Sequence, residues 1–177
     1  MPQNTQPGAK RALISLFVAL AAWSRGGAAR GDAPVPTLRI TGAVSAPRAW
    51  TARQMETALA SQVQTIHYAL HGQMHTARAV PLLALVNQAQ PRFNPHIKNH
   101  QIQFVVEVLG RDSYAADFSL AELLPDLGHR AVWLALDEDG KALGAGGPAE
   151  IVSPDDAKPA RWVHGVAEVR VLDTAQP

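Results

Sequence analysis

Residues 147–173, GPAEIVSPDDAKPARWVHGVAEVRVLD, constrain the fold more than any other stretch of the chain. They open on a Gly147-Pro148 corner and run into a short apolar segment over residues 149–152. A polar turn with Asp155, Asp156, Lys158, Pro159 and Arg161 follows, and a second apolar run over residues 162–172 almost closes the chain. Two apolar runs of strand length on either side of a polar turn read as strands that must both be buried. Two arrangements satisfy that pattern. One is a hairpin with a solvated tip. The other uses the two cations and Trp162, held at the hinge between two strands, as a rigid seat for an anion.

The length of 177 residues, about one domain's worth of chain with a leader, bounds the answer further. A formal net charge of +1 over 177 residues supplies no basic face of the kind that nucleic-acid binders carry. No block of like charge marks an interaction tail. The chain has no cysteine. Disulfides, thiolate metal ligation, thiol catalysis and lipid anchoring through an N-terminal cysteine are thereby excluded. Stability has to come from the hydrophobic core alone, which a chain of this length can build.

The N-terminus reads as a leader. Residues 1–12 are polar and contain Lys10-Arg11, residues 13–23 (LISLFVALAAW) are apolar apart from Ser15, and Gly26-Gly27-Ala28-Ala29 supplies small residues. That order is the charged, apolar and small-residue layout of a secretory signal peptide. The apolar run is shorter than the roughly 20 residues that cross a bilayer. The expected organisation is a signal peptide over residues 1–29, a Gly/Pro/Asp linker over 30–36 and one domain over 37–174. The mature chain is then expected to be periplasmic or secreted, with no membrane span. Paired arginines, needed for export in a folded and cofactor-loaded state, are replaced here by Lys10-Arg11.

Along the mature chain, residues 37–42 (TLRITG) predict a strand ended by glycine. Thr51 with Gln54 three residues on predicts a capped short helix. Residues 62–70 (QVQTIHYAL) predict a strand, His71-Gly72 a break, and residues 73–80 the returning strand of a hairpin. Val80-Pro81 sets up a helix with Leu82, Leu85 and Val86 on its buried face. Residues 101–109 (QIQFVVEVL) predict the strongest strand, paired through a Gly110–Ser113 turn with residues 114–118. Ser119 and Glu122 form a second capping box. Residues 131–136 (AVWLAL) predict a strand buried on both faces, followed by a solvated acidic turn at Asp137, Glu138, Asp139 and Gly140. Trp50, Trp133 and Trp162 read as core or core-edge aromatics. Interleaved strands and short helices with too few crossovers for a doubly wound sheet predict an α+β domain with mixed or antiparallel sheets.

Four segments, in order, resemble the molybdopterin-binding domain of the sulfite oxidase family. They are Ile40-Thr41-Gly42-Ala43-Val44 with Pro47 and the capped helix; Ala79-Val80-Pro81-Leu82-Leu83-Ala84-Leu85-Val86; Gly110-Arg111-Asp112-Ser113-Tyr114; and Gly147-Pro148 leading to Val152, Pro154, Lys158, Arg161, Trp162 and Val163. The resemblance spans residues 38–172 and implies a sulfite oxidase-type molybdopterin-binding fold. It departs from the family pattern at Ala79 and Ser113, where glycine is usual, and at Glu150, where a basic residue is common. It also implies a phosphate-binding role for Lys158 and Arg161, which match the basic residues that hold the family's pterin phosphate. A guanidinium and an ammonium suit a phosphate. The alternative is that Lys158 pairs with Asp155 or Asp156 while the stem of Arg161 covers Trp162. The family holds molybdenum through a cysteine at the end of the strand before the Val-Pro-Leu helix. Here that region reads Tyr68-Ala69-Leu70-His71-Gly72 and resembles a cysteine-less branch of the family, with His71 as a further candidate cofactor contact.

Three functions follow from these readings. The first is an exported, divergent protein on the molybdopterin-binding fold that binds a small-molecule ligand or a periplasmic partner protein. The second is a molybdopterin-dependent oxidoreductase of the sulfite oxidase type. The third is a periplasmic metal-binding module built on His67, His71 and His75, which are spaced by four and would share one face of a helix or of an unbroken strand. His96 and His100 flank a nearby loop as further candidate ligands. The zinc-protease pattern is absent because no Glu follows His67 or His71. No nucleophile elbow, phosphate loop or dinucleotide fingerprint is present.

Overall fold

In the computed structural model the described residues are 35–175, so the leader and the linker up to residue 34 lie outside them. Among the described residues, eleven strands and three short helices are arranged about two main sheets. The strands are β1 (Leu38–Gly42), β2 (Arg48–Trp50), β3 (Gln64–Leu70), β4 (Gln73–Pro81), β5 (Phe104–Gly110), β6 (Ala115–Ser119), β7 (Trp133–Ala135), β8 (Asp137–Glu138), β9 (Lys141–Ala142), β10 (Glu150–Val152) and β11 (Val166–Asp173). The helices are α1 (Ala52–Ala58), α2 (Leu82–Gln88) and α3 (Leu120–Leu123).

The five-stranded sheet has the order β2-β1-β11-β5-β6 and is mixed, because β1 and β11 run parallel while the other pairs are antiparallel. The four-stranded sheet has the order β10-β7-β4-β3 and is antiparallel throughout. The expected α+β class with mixed and antiparallel sheets is therefore the observed one. Alternation explains the strongest strand: β5 buries Phe104, Val106 and Val108 on one face, and they pack with Leu38, Ile40, Phe118, Val169 and Val171 in the main core. Leu82, Leu85 and Val86 of α2 join that core at helical spacing.

Both capping boxes form. The Gln54 amide donates to Thr51 Oγ1 at 3.2 Å while the Thr51 amide donates to Gln54 Oε1 at 2.9 Å. At α3 the Ser119 amide donates to Glu122 Oε1 at 3.1 Å. Pro81 caps α2 as the last residue of β4 instead of opening the helix, since its φ of −61° and ψ of 135° are still extended. Residues His100–Gln103 wind into a 3-10 turn before β5. His100 is buried there, accepting from the Asn94 amide at 2.8 Å and facing Asp173 at 3.2 Å. It ties the polar loop to the end of β11 and does not act with His96 as a ligand pair.

The segment 147–173 is not a hairpin. β10 belongs to the four-stranded sheet, beside β7, whereas β11 lies inside the five-stranded sheet between β1 and β5. Hydrogen bonds donated by the Ile151 amide to the Val163 carbonyl and by the Val166 amide to the Ala149 carbonyl, each 2.9 Å, pin the crossing chain. β11 buries Val166, Val169 and Val171, and an isolated two-stranded hairpin is only marginally stable, so the strand is placed between two neighbours in a larger sheet. The acidic turn is corrected as well. Asp137 is buried and accepts from the Arg78 backbone amide at 2.8 Å and from Arg78 Nε at 2.6 Å. Asp139 accepts from the Thr76 amide at 2.9 Å and meets His75. The start of the turn is thus a clasp on β4, while Asp139 and Gly140 are exposed as a solvated turn is expected to be. Among the described residues no helix is long and apolar enough to cross a membrane.

Candidate functional site

Register decides which side chains share a face of the four-stranded sheet. Tyr68 of β3 stands opposite His75 of β4, and Ala79 opposite Ala135 of β7, which in turn stands opposite Glu150 of β10. Directly opposed residues point the same way. Tyr68, His75, Ala77, Ala79, Ala135, Glu150 and Val152 therefore line one face, with Trp162 folded over it in a second apolar cluster. The small alanines are buried at the centre, packed with Tyr68 and Trp162. Tyr68 stacks on His75 with centroids 5.7 Å apart and meets Trp162 edge to face at 5.4 Å. Trp162 is anchored by a 3.1 Å bond from Nε1 to the Ser153 carbonyl.

Carboxylates surround this aromatic floor. His75 Nδ1 lies 3.2 Å from Glu138 and 3.0 Å from Asp139, and His164 Nδ1 lies 3.1 Å from Glu150. The Tyr68 hydroxyl reaches Glu138 Oε1 at 3.5 Å, the limit of a hydrogen bond. Burial, reinforced by Glu138, Glu150 and Asp139, pushes the Tyr68 phenol above its ordinary range. It is a hydrogen-bond donor, not a phenolate, at any physiological pH. The Asp139 carboxyl is held below the usual carboxylate range, first by the Thr76 amide and then by His75.

A cleft of about 300 Å³ opens beside this cluster. Leu70, His71, Tyr114, Trp162 and His164 line it, together with Asp112. Each element contributes for a local reason. His71 sits at φ 50° in the β3–β4 turn, which ends β3 and turns its imidazole out of the ladder. Tyr114 follows the β5–β6 turn, its amide held by Asp112 Oδ1 at 3.0 Å and its hydroxyl donating to the Ala160 carbonyl. That last bond joins the turn to the segment carrying Trp162.

The predicted phosphate residues fare differently from each other. Arg161 donates to Asp156 at 3.0 and 2.7 Å and to Glu122 at 3.1 Å, and its guanidinium lies 4.6 Å from the centre of the Phe118 ring. It covers Phe118, not Trp162. Two carboxylates already answer its charge. Lys158 is exposed at the start of the 3-10 turn Pro159–Arg161 and has no ion-pair partner among the described residues. Asp156, expected as a partner for Lys158, is taken by Arg161 and lies 3.7 Å from Arg130. The histidine trio does not assemble. The hairpin reversal at His71-Gly72 puts His75 opposite Tyr68, so it faces away from His67, which is exposed on the other side of β3. Among the described residues no three His, Asp or Glu side chains converge as a metal-ligand group.

The donor set tests the family's cofactor directly. No thiolate exists to hold molybdenum, since the chain has no cysteine. The cleft and its surroundings carry Asp112, Glu138, Asp139 and Glu150, which repel a phosphate dianion. These residues do not fit a thiolate-held molybdenum centre with its pterin phosphate on Arg161. Sequence reasoning missed Tyr68, Trp162, His164 and Glu150 as a group. Their convergence depends on sheet register and on a crossing between sheets, neither of which a local pattern reports.

No protein-family model matches the chain, and no curated protein matches it either. Among solved structures it is similar to the sulfane dehydrogenase SoxCD from Paracoccus pantotrophus, at 21% identity with a TM-score of 0.52. The match covers 78% of this chain and 38% of that one, so the chain spans well under half the length of the protein it matches. A likeness at this identity is one of fold: the described residues share a distant, sulfite oxidase-type α+β architecture with SoxCD.

Proposed function

We propose that this chain is an exported, cysteine-free protein that uses a sulfite oxidase-type frame to bind a small-molecule ligand in the cleft between Tyr114, Trp162, His71 and His164. The cleft itself carries this reading. Its volume of about 300 Å³ falls at the small end of the range for ligand pockets, and two aromatic rings with two imidazoles form its wall. It opens next to the end of β3, the place where the resemblance to the sulfite oxidase family puts the metal-bearing cysteine. The aromatic surfaces supply contact area for a flat or apolar group. His71 and His164 supply hydrogen bonds to a polar one.

The test is to purify the protein from its own compartment and assay molybdenum, pterin and co-purifying small molecules by mass spectrometry under native conditions. The expected result is a small ligand that is lost in the His71→Ala/His164→Ala double variant. Stoichiometric molybdenum or pterin overturns this reading. It supports instead the molybdenum-cofactor oxidoreductase that the likeness to a sulfane dehydrogenase brings forward, with exposed Lys158, and Arg161 once freed from Asp156 and Glu122, as the phosphate contacts. A protein of the periplasm or medium is part of the same proposal. Cell fractionation checks it, and replacing Lys10-Arg11 with Lys-Lys is expected to leave export intact.

A further inference from the structure

A second groove, of about 330 Å³, lies between β2 and α1 and shares no lining residue with the cleft. Arg48, Trp50, Arg53 and Gln54 form its working surface, and no carboxylate lines it. Arg39, Arg78, Arg130, Arg161 and Arg170 each lie within ion-pair distance of a carboxylate, whereas Arg48 and Arg53, like Arg92 and Arg111, have no such partner among the described residues. The nearest acid on α1, Glu56, is engaged by Arg78.

The Arg48 guanidinium carbon sits 3.8 Å from the centre of the Trp50 ring. Stacking of this kind fixes the plane of the guanidinium while leaving its N–H edge open for an acceptor. Trp50 is buried, and its Nε1 has no acceptor among the described residues. The groove thus gathers two cations whose N–H donors meet no carboxylate, beside a buried indole N–H without an acceptor. Two like charges facing one small space repel, and a group with several acceptor oxygens converts that repulsion into attraction.

We infer that Arg48 and Arg53 form an oxyanion-binding site for the phosphate or carboxylate group of a small molecule, distinct from the aromatic cleft. Arg48 presents its fork over Trp50, Arg53 closes from the first turn of α1, and the Gln54 side-chain amide borders the same space.

Titration of the purified protein with inorganic phosphate, and separately with acetate, tests this by following the indole N–H resonance of Trp50. Sodium chloride at matched ionic strength is the control, and the resonance is identified by its loss in Trp50→Phe. Saturable movement with phosphate or acetate, weakened at least about tenfold in both Arg48→Gln and Arg53→Gln, is the expected result; the anion that binds more tightly names the group. Arg39→Gln, an exposed arginine on the neighbouring strand, is expected to leave the titration unchanged. Movement no greater than in chloride overturns the site. So does equal weakening by Arg39→Gln, which would reduce the effect to overall charge. Circular dichroism of each arginine variant is expected to show the fold unchanged.

Discussion

Arg161 holds Asp156 through two near-parallel hydrogen bonds, 3.0 Å from Nε to Oδ2 and 2.7 Å from Nη2 to Oδ1. A third bond reaches Glu122 of the α3 capping box, so one guanidinium joins the crossing segment to the start of a helix in a different part of the fold. Replacing Arg161 with Met removes the clamp and leaves Asp156, whose side chain is only 10% exposed, without its main partner. The expected destabilisation is about 2–3 kcal/mol, in the range for losing a charge-assisted pair while leaving the other charge poorly solvated. Urea denaturation measures it. A cycle with Asp156→Asn is expected to show coupling of about 1–2 kcal/mol between the two residues.

The same pair sets an acid limit. Asp156 is held below the usual carboxylate range, chiefly by the Arg161 hydrogen bond. Its carboxyl is therefore harder to protonate in the folded chain than in the unfolded one, where it titrates near about 3.9. The stabilisation it provides is fully present above that unfolded value and is lost as pH falls through the lower, folded value. Thermal melts from pH 6 to pH 2 should show a steep fall below about pH 4, and a shallower one in Asp156→Asn.

Tyr68 predicts the opposite limb. Its phenol is raised by burial and by Glu138, Glu150 and Asp139. Stability from the protonated phenol is complete below the unfolded value of about 10 and fades as pH climbs toward the folded one. Tyr68 and Tyr114 are the chain's two tyrosines. In Tyr114→Phe, the ultraviolet signature of phenolate is expected to be missing at pH 11 in the folded protein. It should emerge on unfolding in denaturant at the same pH.

Asp137 and Glu138 are neighbours with different duties. Asp137 is buried against the amide and the side chain of Arg78, while the Glu138 side chain is 41% exposed. Asp137→Ala is expected to cost about 1–3 kcal/mol, because it orphans the Arg78 backbone amide and leaves the Arg78 guanidinium with Glu56 alone. Glu138→Ala should cost less than about 1 kcal/mol. Equal losses in chemical denaturation would show that the turn does not act as a clasp on β4.

Gly42 and Gly72 both have positive φ, at 94° and 80°. A Cβ on Gly42 would overlap the Val171 carbonyl oxygen where β1 and β11 pair, whereas one on Gly72 meets open space. Gly72→Ala carries only the conformational penalty of about 1 kcal/mol. Gly42→Ala adds a backbone collision inside a sheet, and is expected to lower the melting temperature by at least twice as much, read by differential scanning calorimetry.

Much of the local structure was legible in the residues. Thr51 with Gln54 and Ser119 with Glu122 announced their capping boxes because a cap is a contact across three residues. The apolar alternation around Phe104, Val106 and Val108 announced β5 because a strand's faces are set by period two. Family resemblance carried the fold class further than periodicity did. The site was less legible. Lys158 and Arg161 stand three apart in the chain, yet one is free in solvent and the other is clamped by an aspartate five residues upstream and a glutamate 39 residues away. His67 and His75 share a parity that a hairpin turn reverses.

What the sequence alone determined is therefore composition and short-range chemistry: no thiolate for a metal, a balanced charge, the caps, and the strands' inward faces. Tertiary structure decided the rest, beginning with the fate of residues 147–173. Their two apolar runs are satisfied in different sheets, and the turn between them becomes a bridge that carries Trp162 onto Tyr68 and Arg161 onto Glu122. The physical reason is that burial is non-directional. An apolar strand specifies that it must be covered, and only the packing of the whole chain specifies by what.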